Sequence, residues 1–249
     1  MSSNLFCFNM EILDLSSIKE SYLNIKEEEA IPIDQIDYLV SIETRTNMVN
    51  WLTFLCNTLN FKNQTLFRTI SLFDIYLSKV SKKEIEEMTQ EKLNLIAIAS
   101  LSLSTKLEEN NCNYISFLNE KVLNSPNQKI FTNEDLTKME FTILKALKYK
   151  IIYSTPLDFI EIYLKIFSNF LKNNNSFINP EILSNIRGLS INIMKNNINN
   201  ENYLINTASH FSYLCFIQAL NQLSIMNYFS FKQLEKTIFI FNCQLGNIF

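Results

Sequence analysis

Four charged residues lie within apolar helical patterns, where their side chains could form ion pairs or bind a partner. Arg45 and Asp74 lie on two predicted helices with apolar stripes, where a guanidinium and a carboxylate need each other to offset desolvation. Lys106 ends a nearly all-apolar segment, and Glu140 lies in a Leu- and Ile-rich one. Taken alone, these two are expected to be a lysine that extends to water and a solvated glutamate.

Residues that could carry catalysis are sparse. With two glycines in the chain, no Gly-rich phosphate loop can form, and the single histidine, His210, cannot complete a Ser/His/Asp set. His210 lies on an apolar predicted helix, which favours a packed or hydrogen-bonded side chain over a ligand. The five cysteines are far apart and never in CxxC spacing, so neither a zinc site nor a disulfide framework is indicated. We therefore expect no enzyme activity, no metal and no cofactor.

Composition favours a helical protein of the cell interior. The chain has 249 residues, 47% of them hydrophobic, which is enough for a substantial core, while two glycines and four prolines leave little punctuation for a many-stranded sheet. A net charge of −3 and dispersed lysines argue against a nucleic-acid partner. No apolar run approaches the roughly 18 residues that span a bilayer, and no secretory signal is visible. A soluble protein in a reducing compartment is expected, with no membrane association.

The apolar period predicts a bundle of five helices over residues 43–154, after an N-terminal segment (1–42) with a possible amphipathic helix. The central segment Leu93–Leu103 is apolar or small nearly all round, which is typical of a helix buried on most sides. Thr132 begins a capping box that predicts the start of the last helix. In order, the predicted elements are a helix over Ser17–Ala30, one from Glu43, one from Gln64 to Lys79, the central helix, one near Tyr114–Leu123 and one after Thr132.

Thr155-Pro156 marks a boundary, because proline at the first helical position opens a new helix. At least four helices are predicted beyond it, so residues 155–249 form a second, shorter repeat. Asn-rich stretches between these helices are predicted loops. The predicted helices are Pro156–Leu171, Pro180–Lys195, Asn206–Leu223 and Ser230–Gly246.

Five short motifs, in order, resemble the cyclin box. They are Arg45–Leu52, Asp74–Ser78, Leu93–Leu95 followed by Ser104–Glu109, Lys138–Leu147 and Thr155–Phe159. The family's signature positions are filled by Arg45, Asp74, Leu95, Lys106 and Glu140. The resemblance covers about residues 43–167 and implies an all-α cyclin fold of two helical repeats, the second of which matches only in helix count.

The resemblance also implies roles for single residues. Arg45 and Asp74 would form a structural ion pair, and Leu95 would be a buried signature residue. Lys106 and Glu140 would reach a cyclin-dependent kinase and hydrogen-bond backbone groups beside its regulatory helix. The residues at the positions where cyclins offer this helix an apolar face are Leu103, Leu107, Leu144 and Tyr149. A plain core role is equally open for Leu103 and Leu144, whereas Leu107 and Tyr149, at helix ends, are better candidates for contact.

The function implied is allosteric activation of a cyclin-dependent protein kinase during cell-cycle progression, in the nucleus or cytoplasm. The patch with which many cyclins dock kinase substrates or inhibitors is degraded, since Thr44 and Asn47 replace apolar residues beside Met48, Trp51 and Asn94. Losing that apolar area weakens such a groove.

The central helix and the helix after Thr132 are closer to plant D-type cyclins than to mitotic ones, which favours a G1-like role. No arginine precedes Arg45, so that stretch holds no Arg-x-x-Leu destruction signal. Leu5-Phe6-Cys7 comes within one residue of the motif by which D-type cyclins bind retinoblastoma-like pockets, although Asn9 lacks the required charge.

A second function class uses the same fold without a kinase, as an adaptor or a transcription-linked protein. Such a protein would be expected to carry a zinc ribbon or a basic face. The scattered cysteines and the acidic balance supply neither.

Overall fold

The computed structural model describes residues 15–30, 33, 40–110, 131–173 and 180–223. Apart from one isolated bridge between Glu29 and Ser154, all regular structure in these ranges is helical. The helices are α1 (Leu15–Glu27), α2 (Ile42–Thr58), α3 (Asn63–Leu77), α4 (Lys82–Glu86), α5 (Gln90–Glu108), α6 (Asn133–Ala146), α7 (Pro156–Asn173), α8 (Pro180–Asn197), α9 (Glu201–Ile205) and α10 (Ala208–Gln222). The predicted all-α class is confirmed.

Helix α5 is the centre of the first bundle and packs against α2, α3 and α6. Every residue from Ile96 to Thr105 is buried, as the all-round apolar pattern predicts. The hydroxyls of Ser100 and Ser104 donate to carbonyl oxygens one turn earlier, at 2.9 and 2.8 Å. These two hydroxyls are thereby satisfied without leaving the core, whereas the buried Ser102 hydroxyl has no hydrogen-bond partner among the described residues.

Helix starts follow local capping chemistry. The Thr132 side chain accepts a hydrogen bond from the Asp135 amide, and the Asp135 carboxylate accepts one from the Thr132 amide, a complete capping box at the predicted start of α6. The same motif, formed by Ser81 and Glu84, begins α4. Helices α4 and α9 were not predicted from the sequence, because five residues are too short to show an apolar period.

The second half of the described chain consists of α7, α8 and α10 packed on one another, with α9 against α10. Helix α3 rests on α7, so one cluster of buried apolar residues extends from Ile18 to Leu220. The helices predicted near Tyr114–Leu123 and over Ser230–Gly246 lie outside the described residues, as does the Leu5-Phe6-Cys7 segment.

Helix α1 packs on α7 rather than on the first bundle. The Tyr22 ring stands edge-on to the Phe159 ring, with centroids 6.0 Å apart. Just beyond α1, the Glu28 carbonyl accepts a hydrogen bond from the Ser154 amide at 2.9 Å, and the Ser154 hydroxyl donates to the Ile25 carbonyl at 2.5 Å. The N-terminal helix therefore holds the linker that joins the two halves. Among the described helices, none combines the length and apolar character that crossing a bilayer requires.

Candidate functional site

Arg45 and Asp74 form a buried, two-pronged ion pair between α2 and α3. The Arg45 Nε donates to Asp74 Oδ1 at 2.9 Å and Nη2 donates to Oδ2 at 2.8 Å, and the side chains are 0% and 2% exposed. The remaining guanidinium nitrogen, Nη1, donates to the Ile198 carbonyl at 3.0 Å, and the Tyr203 ring lies 5.4 Å from the guanidinium carbon. One arginine of the first bundle thus also anchors the second half of the chain.

Lys106 and Glu140 form the other pair, at the end of α5 and in the middle of α6. The Lys106 ammonium donates to both Glu140 carboxylate oxygens, at 2.6 and 2.7 Å. The lysine side chain is 42% exposed and the glutamate side chain 10%. An ammonium has three donors, so one N–H remains for another acceptor, and the carboxylate keeps lone pairs for another donor. The pair is therefore assembled inside the protein but open to a partner at its outer side.

The apolar residues that were predicted to accompany this pair differ in their exposure to solvent. Leu107 follows Lys106 and is exposed, and Tyr149, three residues beyond α6, is 62% exposed. Leu144 is half-buried against the core, and Leu103 is buried inside it. Of the apolar residues singled out in the sequence, Leu107 and Tyr149 are accessible to a partner, whereas Leu103 packs as a core residue.

Two exposed apolar residues of this region were missed from the sequence. Phe141, directly after Glu140, is 49% exposed, with the Lys145 ammonium 4.6 Å from its ring centre. Ile152, in the linker after α6, is also exposed. Phe141 does not lie on the apolar stripe of Leu136, Met139 and Ile143. That position off the stripe could have predicted its exposure from the sequence. We use the name docking surface for Lys106, Leu107, Glu140, Phe141, Tyr149 and Ile152.

A tight turn presents Tyr149. Its amide donates to the Leu144 carbonyl at 2.8 Å and the Lys148 amide donates to the Lys145 carbonyl at 3.0 Å, the two bonds of a Schellman cap. Lys148 and Tyr149 both have left-handed backbones, with φ of 50° and 62°. Each costs about 1 kcal/mol or more for a residue other than glycine, so surrounding contacts must hold this turn in place.

The positions of the substrate-docking patch lie on α2 and α5. Met48 is buried, while Trp51 and Asn94 are half-buried. The Gln90 amide donates to Asn94 Oδ1 at 2.9 Å and lies 3.7 Å from the Met48 sulfur. With Met48 inside the core, the exposed apolar area of this part of α2 comes from the half-buried Trp51 and from Phe54, which is 63% exposed. Leu95, expected to be buried, is instead half-buried at the edge of the core.

Within the described ranges, no group of His, Cys, Asp and Glu side chains could hold a metal ion. Burial raises the pKa of the Cys56 and Cys215 thiols to about 12, so both are protonated and unreactive at neutral pH. His210, expected to be packed or hydrogen-bonded, is exposed in the first turn of α10.

The chain is similar in structure and in sequence to several known cyclins. A crystal structure of a viral cyclin from herpesvirus saimiri superposes with a TM-score of 0.64 over 93% of this chain and 97% of that chain, at 15% identity, which shows the fold. Cyclin-B2-1 of Arabidopsis thaliana is 27% identical over 58% of this chain and 32% of its own length. Cyclin-SDS of the same plant is 32% identical over 49% of this chain and 20% of its own length.

Relatives named for different cyclin types are similar to about the same degree. Cyclin-D3-1 of Oryza sativa is 28% identical over 60% of this chain and 44% of its own length. The chain thus spans less than half of each of these relatives. The family model described as the cyclin N-terminal domain matches residues 15–152, which include α1 and the whole first bundle. This chain belongs to the cyclin family.

Proposed function

We propose that this chain is the regulatory subunit of a cyclin-dependent Ser/Thr protein kinase, and that it binds the kinase through the docking surface without supplying a catalytic residue. The observation that carries the proposal is the Lys106–Glu140 pair, in which a nearly buried carboxylate holds a half-exposed ammonium. A partly exposed ion pair that lies close to exposed apolar residues is typical of a surface that a partner covers.

The chemistry of the docking surface suits a helix of the kinase and the backbone beside it. Leu107, Phe141, Tyr149 and Ile152 offer apolar area for one face of an amphipathic helix. The free N–H of Lys106 and the free lone pairs of Glu140 can bond carbonyl and amide groups next to that helix. A partner that binds only the active position of this helix shifts the kinase population toward the active state.

The biological setting extends the same proposal. We favour a G1-like role in cell-cycle progression, in the nucleus or cytoplasm, because the sequences of the central helix and of the helix after Thr132 resemble plant D-type cyclins. Substrates and inhibitors of the kinase are secondary partners, because Met48 is buried and Thr44 and Asn47 replace apolar residues of the substrate-docking patch. The chain is expected to contribute more to kinase activation than to substrate choice.

The test is binding and activation with purified cyclin-dependent kinases. The wild-type chain should bind at least one of them in calorimetry and raise its activity on a peptide substrate. Lys106→Ala and Glu140→Ala should each raise the Kd by about 30-fold or more, because truncation leaves the other charge covered by the partner and unpaired.

The matched control is Lys138→Ala on the same helix as Glu140. Lys138 forms an exposed pair with Glu134 at 2.7 Å, with side chains 70% and 75% exposed. This change should leave the Kd within about twofold, since such surface pairs contribute little. Failure of the wild-type chain to bind or activate any of these kinases would rule out the proposed function.

A further inference from the structure

The docking surface is built from three segments: the end of α5, with Lys106 and Leu107, the middle of α6, with Glu140 and Phe141, and the stretch 148–153, with Tyr149 and Ile152. Two of them, the end of α5 and the stretch 148–153, are distant in sequence, and a partner that contacts both requires a fixed spacing between them. The strained turn at Tyr149 adds to this requirement, because its left-handed backbone must be held by its surroundings.

Arg68, in the middle of α3, joins the two segments directly. Its side chain is buried, with the residue 8% exposed, and it is not part of the docking surface. Its Nε donates to Glu108 Oε1 at 2.5 Å, and its Nη1 donates to the Tyr153 carbonyl at 3.1 Å. Glu108 is the last residue of α5, two residues after Lys106, and Tyr153 directly follows Ile152. One guanidinium therefore bonds the residue that follows Leu107 and the residue that follows Ile152, which adjoin two segments of the docking surface.

Neighbouring hydrogen bonds hold the end of α5 in a fixed position relative to α3, the helix that carries Arg68. Glu109 Oε1 accepts hydrogen bonds from the Lys62 amide, at 2.8 Å, and from the Thr65 hydroxyl, both at the start of α3. The end of α5 is thus tied to the helix that carries Arg68. The Schellman cap ties residues 148–150 of the following segment to α6, and the bond from Arg68 to the Tyr153 carbonyl ties the far end of that segment to α3. Arg68 therefore links the far end of this segment to the helix that also holds the end of α5.

We propose that Arg68 is a positioning residue of the docking surface, which sets the spacing between the Lys106 end of α5 and the Tyr149–Ile152 segment. The role rests on the proposed function and adds to it a buried residue that touches no partner. A guanidinium is suited to this task, because its nitrogens point in fixed directions at two acceptors. A lysine ammonium carries its three donors on one nitrogen at the end of a flexible side chain, so it does not reach both acceptors as the guanidinium does.

The first test uses the free protein and needs no kinase. Arg68→Met keeps the length and apolar body of the side chain but removes both hydrogen bonds, and Arg68→Lys keeps the charge. Both variants should show faster amide hydrogen exchange at residues 107–109 and 148–153, while amides in the centre of α5 stay protected. Unchanged exchange in both segments in a folded variant would overturn the proposal.

The second test measures binding of the kinase that the wild-type chain binds. Arg68→Met and Arg68→Lys should each raise the Kd by about tenfold at a temperature where the circular dichroism spectrum is native. In a double-mutant cycle, Arg68→Met should cost less in the Tyr149→Ala background than in the wild-type chain, because a displaced Tyr149 no longer contributes. If the costs of the two substitutions were additive, Arg68 would not position Tyr149, and the positioning role would be contradicted.

Arg187→Met is the matched control. Arg187 Nε donates to Glu161 Oε1 at 2.6 Å between α7 and α8, in the second half of the chain. This variant also loses an arginine–glutamate pair, but it should leave both the exchange at 148–153 and the Kd unchanged. Absence of binding by the wild-type chain contradicts the proposed function, whereas normal exchange in the Arg68 variants contradicts the positioning role, so the two failures are distinguishable.

Discussion

The Arg45–Asp74 pair and the Lys106–Glu140 pair each join one basic and one acidic side chain from two helices of the first bundle, but they face opposite environments. Arg45 and Asp74 are fully covered, and the arginine uses its last nitrogen on the Ile198 carbonyl. Lys106 and Glu140 are bonded as closely, yet the lysine is 42% exposed and keeps an N–H toward solvent. Similar charges are saturated within the fold in one case and left available in the other.

The difference teaches that the contacts around an ion pair decide its role. A buried pair in which each guanidinium nitrogen already donates a hydrogen bond inside the fold is not accessible to a partner, so its loss is measured in stability. A pair with one exposed member and free hydrogen-bonding capacity can contribute to binding while adding modestly to stability. Variants at the two pairs should therefore separate folding from binding.

The largest effect is expected for Arg45→Met. This substitution keeps the side-chain length but leaves the buried Asp74 carboxylate and the Ile198 carbonyl without the guanidinium. The free energy of unfolding should fall by about 3–5 kcal/mol, measured by urea denaturation followed by circular dichroism. The double variant Arg45→Met/Asp74→Leu should recover part of that loss, because no buried charge remains. A fall below about 1 kcal/mol for Arg45→Met would contradict the saturated role of this pair.

A smaller loss of stability is expected for Lys106→Ala. Glu140 then keeps a nearly buried carboxylate without its ammonium, but the site opens to water, so the free energy of unfolding should fall by about 1–2 kcal/mol. The same denaturation experiment on Lys138→Ala should show a change within about 0.5 kcal/mol, as for exposed surface residues. If Lys106→Ala destabilised the chain as much as Arg45→Met, the contrast between the two pairs would disappear.

The smallest effect at neutral pH is expected for Tyr203→Phe, beside the Arg45 guanidinium. The Tyr203 hydroxyl lies 3.2 Å from the Ser71 hydroxyl, and losing this hydrogen bond should cost about 1 kcal/mol. Burial, with the Asp74 carboxylate nearby, raises the Tyr203 pKa to about 12. The folded chain therefore holds this proton more tightly than the unfolded chain, whose tyrosine pKa is about 10.

The sign of the pH effect follows from this difference. The contribution of Tyr203 is complete below pH of about 10 and is lost as pH rises toward 12. Tyr203→Phe removes that titration, so its stability should fall less steeply with pH over this interval than that of the wild-type chain. Urea denaturation at several alkaline pH values measures the two slopes, and equal slopes would show that the Tyr203 hydroxyl keeps its ordinary pKa in the folded chain.

The helical scaffold was predictable because long helices record their environment in their apolar period. The segment around Leu93–Leu103 indicated a helix covered on most sides, and the Thr132 capping box located the start of α6. Helices α4 and α9 were missed, since five residues show no period. Ser81 and Glu84 were the only local signal for α4.

The candidate site was predictable only in part, because an apolar pattern does not tell which of its residues a neighbouring helix covers. Leu103 and Leu107 lie one turn apart on α5, yet the first is core and the second is exposed. Contacts between distant segments leave no local trace in the sequence. The reach of Arg45 to Ile198 and of Arg68 to Tyr153 depends on how whole helices stack, so neither could be derived from spacing.

The docking of α1 on α7 has a consequence for the order of folding. The hydrogen bond between Ser154 and Ile25 joins residues 129 positions apart, so during synthesis α1 waits for a partner made much later. The first bundle holds its own contacts among α2, α3, α5 and α6 and can condense in the meantime. A docked α1 thereby becomes a marker of chains in which α7 has formed, and a protease-sensitive α1 identifies chains in which it has not.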